Sequence, residues 1–266
     1  MARRPVLAIF TKNRVNPAYT AARLAVDRVA AEAGGRAIHY VPETPDDVGQ
    51  QKALVREALA AKPDAVVFNP ADDVKMQEDL ARFADARIPV ALFINRMTGP
   101  ALTFVGSDDV AVGRRVATAL FEGLSGKGRV VGLEVGHLQQ EPAELAMAAL
   151  LARHPAIDGV WTANDLMALG ALDALGESGR TAKVVGINGL PAAIEQIERG
   201  TMLASADFSA FNIAAIAARA VLRHLDGQPV PKEIMVPAGL IDRSNYQRFK
   251  VPFAERPCPA WNKIVR

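Results

Sequence analysis

The chain has 266 residues, half of them hydrophobic and 23% charged, with a formal net charge of +2. That balance is ordinary for a globular protein with a substantial core, and Lys and Arg are spread along the chain, so neither a nucleic-acid nor an anionic-membrane partner is implied. The single cysteine, Cys258, excludes an intrachain disulfide or a cysteine-based zinc site, and no apolar run approaches the roughly 18 residues of a membrane span.

From the amino end, VLAIF (6–10) is followed at once by Thr11-Lys12-Asn13-Arg14, too short an apolar run for a signal-peptide core. A helical stretch over 17–33 then ends at Gly34-Gly35, and RAIHYV (36–41), a helix over 46–61 and DAVVFN (64–69) follow. Next come a helix over 73–86, PVALFIN (89–95), TFVGS (103–107) and a helix over 109–124. Gly126-Lys127-Gly128 turns the chain into RVVGLEV (129–135), then a helix over 141–153, DGVWTAN (158–164) and a helix over 165–176. AKVVGIN (182–188), a helix over 191–199, MLASAD (202–207) and a helix over 209–225 complete the series before a Pro-punctuated tail.

Strands rich in Val, Ile and Ala that lack polar alternation, each followed by an amphipathic helix, indicate an α/β fold of buried parallel sheet covered by helices. About nine strands are too many for a comfortable single open sheet, so two doubly wound lobes are expected. The expected division is 1–104 plus 237–266 for the first lobe and 105–236 for the second, with crossings near 99–107 and 230–243.

Ligands of open parallel sheets bind beyond the carboxyl ends of the strands. The exits here carry Thr11 to Tyr19, Asn69 to Asp72, Asn95-Arg96, Ser107-Asp108, Asn164-Asp165, Asn188-Gly189 and Asp207. Asn and Asp at such positions also cap helices, which accounts well for Asp72, Asp73 and Asp108. Capping accounts poorly for Arg96, which has no acceptor to offer. Taken together, the polar tips of two lobes would line a hinged polar cleft.

Enzyme signatures are missing: no G-x-S-x-G, Walker loop, H-E-x-x-H or strand-linked G-x-G-x-x-G occurs. His39, His137, His154 and His224 are far apart, and Asp207 with His137 is the one acid–base pair that can be assembled. No catalytic residue, metal or cofactor is therefore expected.

The segments VNPAYTAARLAVDRVAAEAG, KPDAVVFNPAD, IPVALFINR, ARHPAIDGVWTANDLMALGALDALGESG and VVGINGLPAAIEQIERG together resemble the type I periplasmic sugar-binding proteins, the ribose-binding-protein-like family that shares its fold with LacI-type repressors. The resemblance spans nearly the whole chain and is most specific at N-D-x-M-A-L-G and the preceding R-H-P-x-I-D. It implies two flavodoxin-like lobes joined by three crossings, one sugar between them, and delivery of that sugar to the membrane subunits of an ABC importer. By the same resemblance the ligand-binding residues fall on Asn16 and Tyr19, on Asn95 and Arg96, on Asn164, on Asn188 and on Asp207. Asn164 is expected to face the ligand and Asp165 to cap the helix.

Two departures from the family pattern stand out. Asn95 and Asn188 replace carboxylates, so the site carries less negative charge, and a polyol or a ligand with its own carboxylate becomes more acceptable beside Arg96. Between RVVGLEV and DGVWTAN the family has helix, strand and helix, whereas GHLQQEPAELAMAALLARHPAI supplies one helix. The second lobe is therefore expected to lack an edge strand and a helix, leaving strand 129–135 as an edge that invites dimerisation. A solute receptor for a monosaccharide or polyol is the leading expectation. The alternatives are a sugar-sensing partner of a membrane sensor or regulator, and a homologue that has lost binding; a repressor is disfavoured because no room for a helix-turn-helix precedes residue 6. The expected compartment is the periplasm where a leader has been removed, and otherwise the cytoplasm.

Overall fold

A computed structural model describes residues 4–133 and 139–265. By internal contacts the chain divides into two units, residues 1–107, 210–237 and 253–266 forming the first lobe and residues 108–209 and 238–252 the second.

The first lobe is a six-stranded sheet. Strands β1 (Val6–Phe10), β2 (Arg36–Tyr40), β3 (Ala65–Phe68), β4 (Val90–Phe93) and β5 (Thr103–Gly106) are parallel and are joined by β10 (Glu233–Met235), in the order β10-β5-β4-β3-β1-β2. Strands β3, β4 and β5 are buried at every position, as their unbroken apolar runs require. Helix α1 (Pro17–Glu32) packs against α8 (Ala210–Leu225), and α2 (Val48–Ala61) against α3 (Gln77–Asp85). The core around Phe10 is aromatic: its ring centroid lies 4.8 Å from Tyr40, 5.1 Å from Phe68 and 5.9 Å from Phe83. Burying each such ring is worth about 2–3 kcal/mol.

The second lobe is a five-stranded sheet in the order β11-β9-β8-β7-β6. Strands β6 (Val130–Leu133), β7 (Gly159–Thr162), β8 (Lys183–Ile187) and β9 (Ala204–Asp207) are parallel, while β11 (Gly239–Asp242) returns antiparallel to β9. Helix α4 (Asp109–Gly123) lies against β7, β8 and β9, and α6 (Asp165–Glu177) against β7 and β8. As the short connection predicts, β6 is an edge, with Val130 38% exposed where a covering strand would bury it. Helix α5 (Gln140–Arg153) leans on α6 instead. Gly170 permits the close approach, since a Cβ there would stand 2.2 Å from the Gln140 carbonyl oxygen.

The lobe boundaries differ from the expected division in the last quarter of the chain. Helix α8 belongs to the first lobe because ten of its sixteen residues are buried, against α1 and strands β3 to β5. Residues 238–252 belong to the second lobe because β11 pairs with β9, and the 3-10 turn Tyr246–Phe249 packs on α7 (Pro191–Arg199). The chain then returns: Phe253 stacks on Phe211 at 6.2 Å, Arg28 donates to the carbonyls of Ala254 and Arg256, and Arg219 donates to the Pro259 carbonyl at 2.9 Å. Four crossings result, not the three implied by resemblance.

Candidate functional site

In the first lobe the polar residues collect at the carboxyl ends of the neighbouring strands β1, β3 and β4. Asn16 caps α1: its Oδ1 accepts from the Ala18 amide at 2.9 Å, and its own amide donates to Asn13 Oδ1 at 3.0 Å. Tyr19, one turn into α1, has its hydroxyl pKa raised by burial and by Asp46. The Asn69 side chain is near enough to favour the phenolate, yet neither of its own amide atoms makes a hydrogen bond of acceptable geometry. Asn69 is fully buried.

Buried side chains hold these loops. Gln51, on α2, donates to the Asn69 carbonyl at 3.0 Å and accepts from the Ala71 amide at 2.7 Å, fixing the exit of β3 like a splint. Arg23, also buried, donates to Thr11 Oγ1 at 2.8 Å, to the Asn13 carbonyl at 3.3 Å and to Thr20 Oγ1 at 2.9 Å. Beyond β4 the chain turns at Ile94, with φ of 62°, and the Asn95 amide donates to the Phe93 carbonyl at 2.7 Å. Arg96 is exposed; its guanidinium lies 4.2 Å over the Phe104 ring and bonds to Glu233 on β10. Burial lowers the pKa of Lys12 at the β1 exit, with Asp46, Asp73 and Asp72 opposing the shift.

In the second lobe Asn164, Asn188 and Asp207 end the adjacent strands β7, β8 and β9. Here the capping role expected of Asp165 falls to its neighbour. Asn164 is the helix cap, its Oδ1 accepting from the Met167 amide at 2.8 Å. Asp165 turns inward instead, fully buried, accepting from the Leu190 amide at 2.8 Å and from Ser205 Oγ at 2.7 Å. Burial, with the Asp207 charge adding, pushes its pKa up to about 7, against the Ser205, Leu190 and Gly189 bonds that favour the charged form. Asn188 has φ of 135° and a buried Oδ1 without a hydrogen-bond partner. Asp207 Oδ1 accepts from the Ser209 amide at 2.6 Å.

Of the seven sequence-predicted residues, Asn95, Arg96, Asn164, Asn188 and Asp207 stand at strand exits, while Asn16 and Tyr19 lie at the start of α1, the helix that follows β1; four are on the first lobe and three on the second. His137, the partner imagined for Asp207, lies outside the described residues. Asn69 is legible in the sequence only as a polar strand exit, and its buried, unpartnered amide is the signal that adds it as a candidate. Among the described residues no cluster of three or more His, Cys, Asp or Glu side chains could hold a metal ion. A cavity of about 750 Å³ in the second lobe, lined by Leu124, Leu175, Lys183, Ile197, Met202 and Arg243 among others, contains none of the strand-exit residues.

Comparison with known proteins gives concordant results. The chain is 26% identical over 265 residues to the ribose import binding protein of Bacillus subtilis, covering 88% of this chain and 85% of that one. In fold it resembles an ABC transporter periplasmic solute binding protein from Actinobacillus succinogenes with bound D-allose, with a TM-score of 0.87 and 24% identity over 92% of this chain and 99% of the other. A solute binding protein from Bacillus halodurans with bound myo-inositol gives a TM-score of 0.84 and 22% identity over 94% and 98% of the two chains. The sequence profile of the periplasmic binding protein domain matches in two pieces, residues 7–141 and 133–229, which meet at the shortened connection after β6. The chain belongs to the periplasmic binding protein domain family, whose members are solute-binding proteins.

Proposed function

We propose that the chain is a receptor that binds one monosaccharide or polyol in the periplasm and delivers it to the membrane subunits of an ABC importer. The observation that carries this reading is the set of buried amide atoms left without partners at strand exits, both on Asn69 and one on Asn188. An unpaired buried polar atom costs about 1–3 kcal/mol. A sugar hydroxyl, which donates and accepts, offsets that cost at either position. Tyr19 supplies a flat apolar face of the kind that covers a sugar ring, and Asn16, Asn95, Arg96, Asn164 and Asp207 supply the remaining polar groups.

The arrangement also bears on ligand class. Arg96 bonds to Glu233 within its own lobe, so its charge is already answered. Amides at Asn95 and Asn188 add none, which favours a neutral polyhydroxyl ligand over an acidic one. The relatives' ligands support the same class. Among the described residues no helix is long and apolar enough to cross a membrane, so membrane engagement is assigned to the importer subunits.

The test is a calorimetric and thermal-unfolding screen over D-ribose, D-allose, myo-inositol, other pentoses and hexoses, polyols and sugar acids. A true ligand at a thousand-fold excess over Kd stabilises the protein by about 4 kcal/mol. Saturable binding of a neutral sugar or polyol, weakened at least tenfold by Asn69→Ala or Asn188→Ala, is expected. Absence of any stabilising compound overturns the reading, and preferential binding of sugar acids overturns the neutral-ligand part of it. Delivery is tested by adding the loaded protein to its permease in vesicles and measuring sugar uptake.

A further inference from the structure

Asp165 lies one residue beyond the helix cap and makes no use of its position at the helix end for capping. Its carboxylate, at the exit of β7, ties the turn after β8 to the body of strand β9. Oδ2 takes the Leu190 amide, Oδ1 takes the Ser205 hydroxyl, and Ser205 Oγ in turn accepts the Gly189 amide at 3.1 Å. The carboxylate rests directly on strand β8: a Cβ at Gly186 would stand 2.5 Å from Asp165 Oδ1, so only glycine leaves room for it. Asp165 and Ser205 are both fully buried.

What this network holds is the Asn188–Leu190 turn. Asn188 adopts φ of 135°, a region that side-chain-bearing residues avoid, and such strain persists only where the surroundings over-determine it. Each residue of the turn is fastened by its amide: Asn188 to the Ala206 carbonyl at 2.8 Å, Gly189 to Ser205, and Leu190 to Asp165. Two of those three fastenings run to or through the Asp165 carboxylate. The result is that the Asn188 side chain is presented at the strand exit with its Oδ1 unpartnered.

We propose that Asp165 is a positioning residue for ligand binding: through Ser205 and the Leu190 amide it holds the strained Asn188 turn in the geometry that meets the sugar. This deepens the sugar-receptor reading and rests on it for its ligand, but the hold on the turn can be measured without one. The charged group bearing on Asp165 is Asp207, at the end of β9.

The test combines amide hydrogen exchange by NMR on the full chain with calorimetric binding of D-ribose, D-allose and myo-inositol. Asp165→Ala is expected to speed exchange of Gly189 and Leu190 at least tenfold, leaving Val160 and Val184 in the sheet unchanged. The same variant weakens by at least tenfold any of the three sugars that the wild type binds. Asp165→Asn, whose amide oxygen still accepts from Leu190, keeps that amide protected and recovers most of the affinity. Equal protection of Gly189 and Leu190 in wild type and Asp165→Ala, or an unchanged Kd in Asp165→Ala, overturns the proposal. Should Asp165→Ala not fold, Ser205→Ala decides by exchange, Gly189 losing protection if the network is as described and keeping it if not. If no sugar binds the wild type, the receptor reading fails, while exchange alone still decides whether Asp165 holds the turn.

Discussion

In the first lobe the loops bearing Asn16 and Asn69 are held by a guanidinium and an amide, Arg23 and Gln51. In the second lobe the corresponding work falls to a carboxylate, Asp165, with Ser205 as intermediary. The two lobes share a doubly wound plan and present polar tips at the same ends of their strands, but only the second fastens its tips with a group that titrates near neutral pH. Arginine and glutamine keep their charge state throughout the range in which proteins are stable. A buried carboxyl with its pKa raised to about 7 does not. Similar rims therefore rest on supports that respond differently to protons.

The largest effect that would sharpen this contrast is on stability against pH. Asp165 titrates near 4 in the unfolded chain and at about 7 in the folded one. The folded state therefore holds an extra proton between those values, and the stability this group contributes is fully present below pH 4 and lost as pH rises through 7. Urea unfolding of wild type and Asp165→Asn from pH 4 to 8 is expected to show the wild type losing about 4 kcal/mol relative to the variant. A difference that stays constant with pH would break the comparison.

Next in size is Gly170→Ala, which brings a Cβ onto the backbone of α5 and should destabilise the second lobe by about 3 kcal/mol, read as a lower urea midpoint. Gln51→Ala in the first lobe leaves the Asn69 carbonyl and the Ala71 amide without their partner. It should cost about 2 kcal/mol, equally at pH 5 and pH 8, the opposite of the behaviour at Asp165. The smallest stability effect is expected at Asn69→Ala. Relief of the unpaired buried amide is offset by the cavity that the shorter side chain leaves, so unliganded stability should change by no more than about 1 kcal/mol, while sugar binding falls at least tenfold.

The sequence displays the plan of both lobes because buried parallel strands must be continuously apolar, and runs such as AVVF and VALF leave few other readings. The shortened connection after β6 is legible by resemblance, and the sheet order agrees with it. The assignment of α8 was not legible. An apolar helix face shows that a helix is buried but not which sheet buries it, and α8 follows directly on strands of the other lobe. Strands β10 and β11 have three and four residues in a proline-rich tail, too short for any periodicity. Asn69 and Asn188 could be seen as polar exits, but their unpartnered atoms depend on neighbours distant in sequence. The inward turn of Asp165 is illegible for the same reason. An Asp at the start of a helix ordinarily caps it, and the pocket that draws this one inward is built from Gly186, Leu190 and Ser205, at least twenty residues away.

The return of residues 253–266 to the first lobe has a practical corollary. Residues 4 and 265 are both attached to the same body, so fluorophores placed at the two ends would report distances internal to it and remain blind to its neighbour.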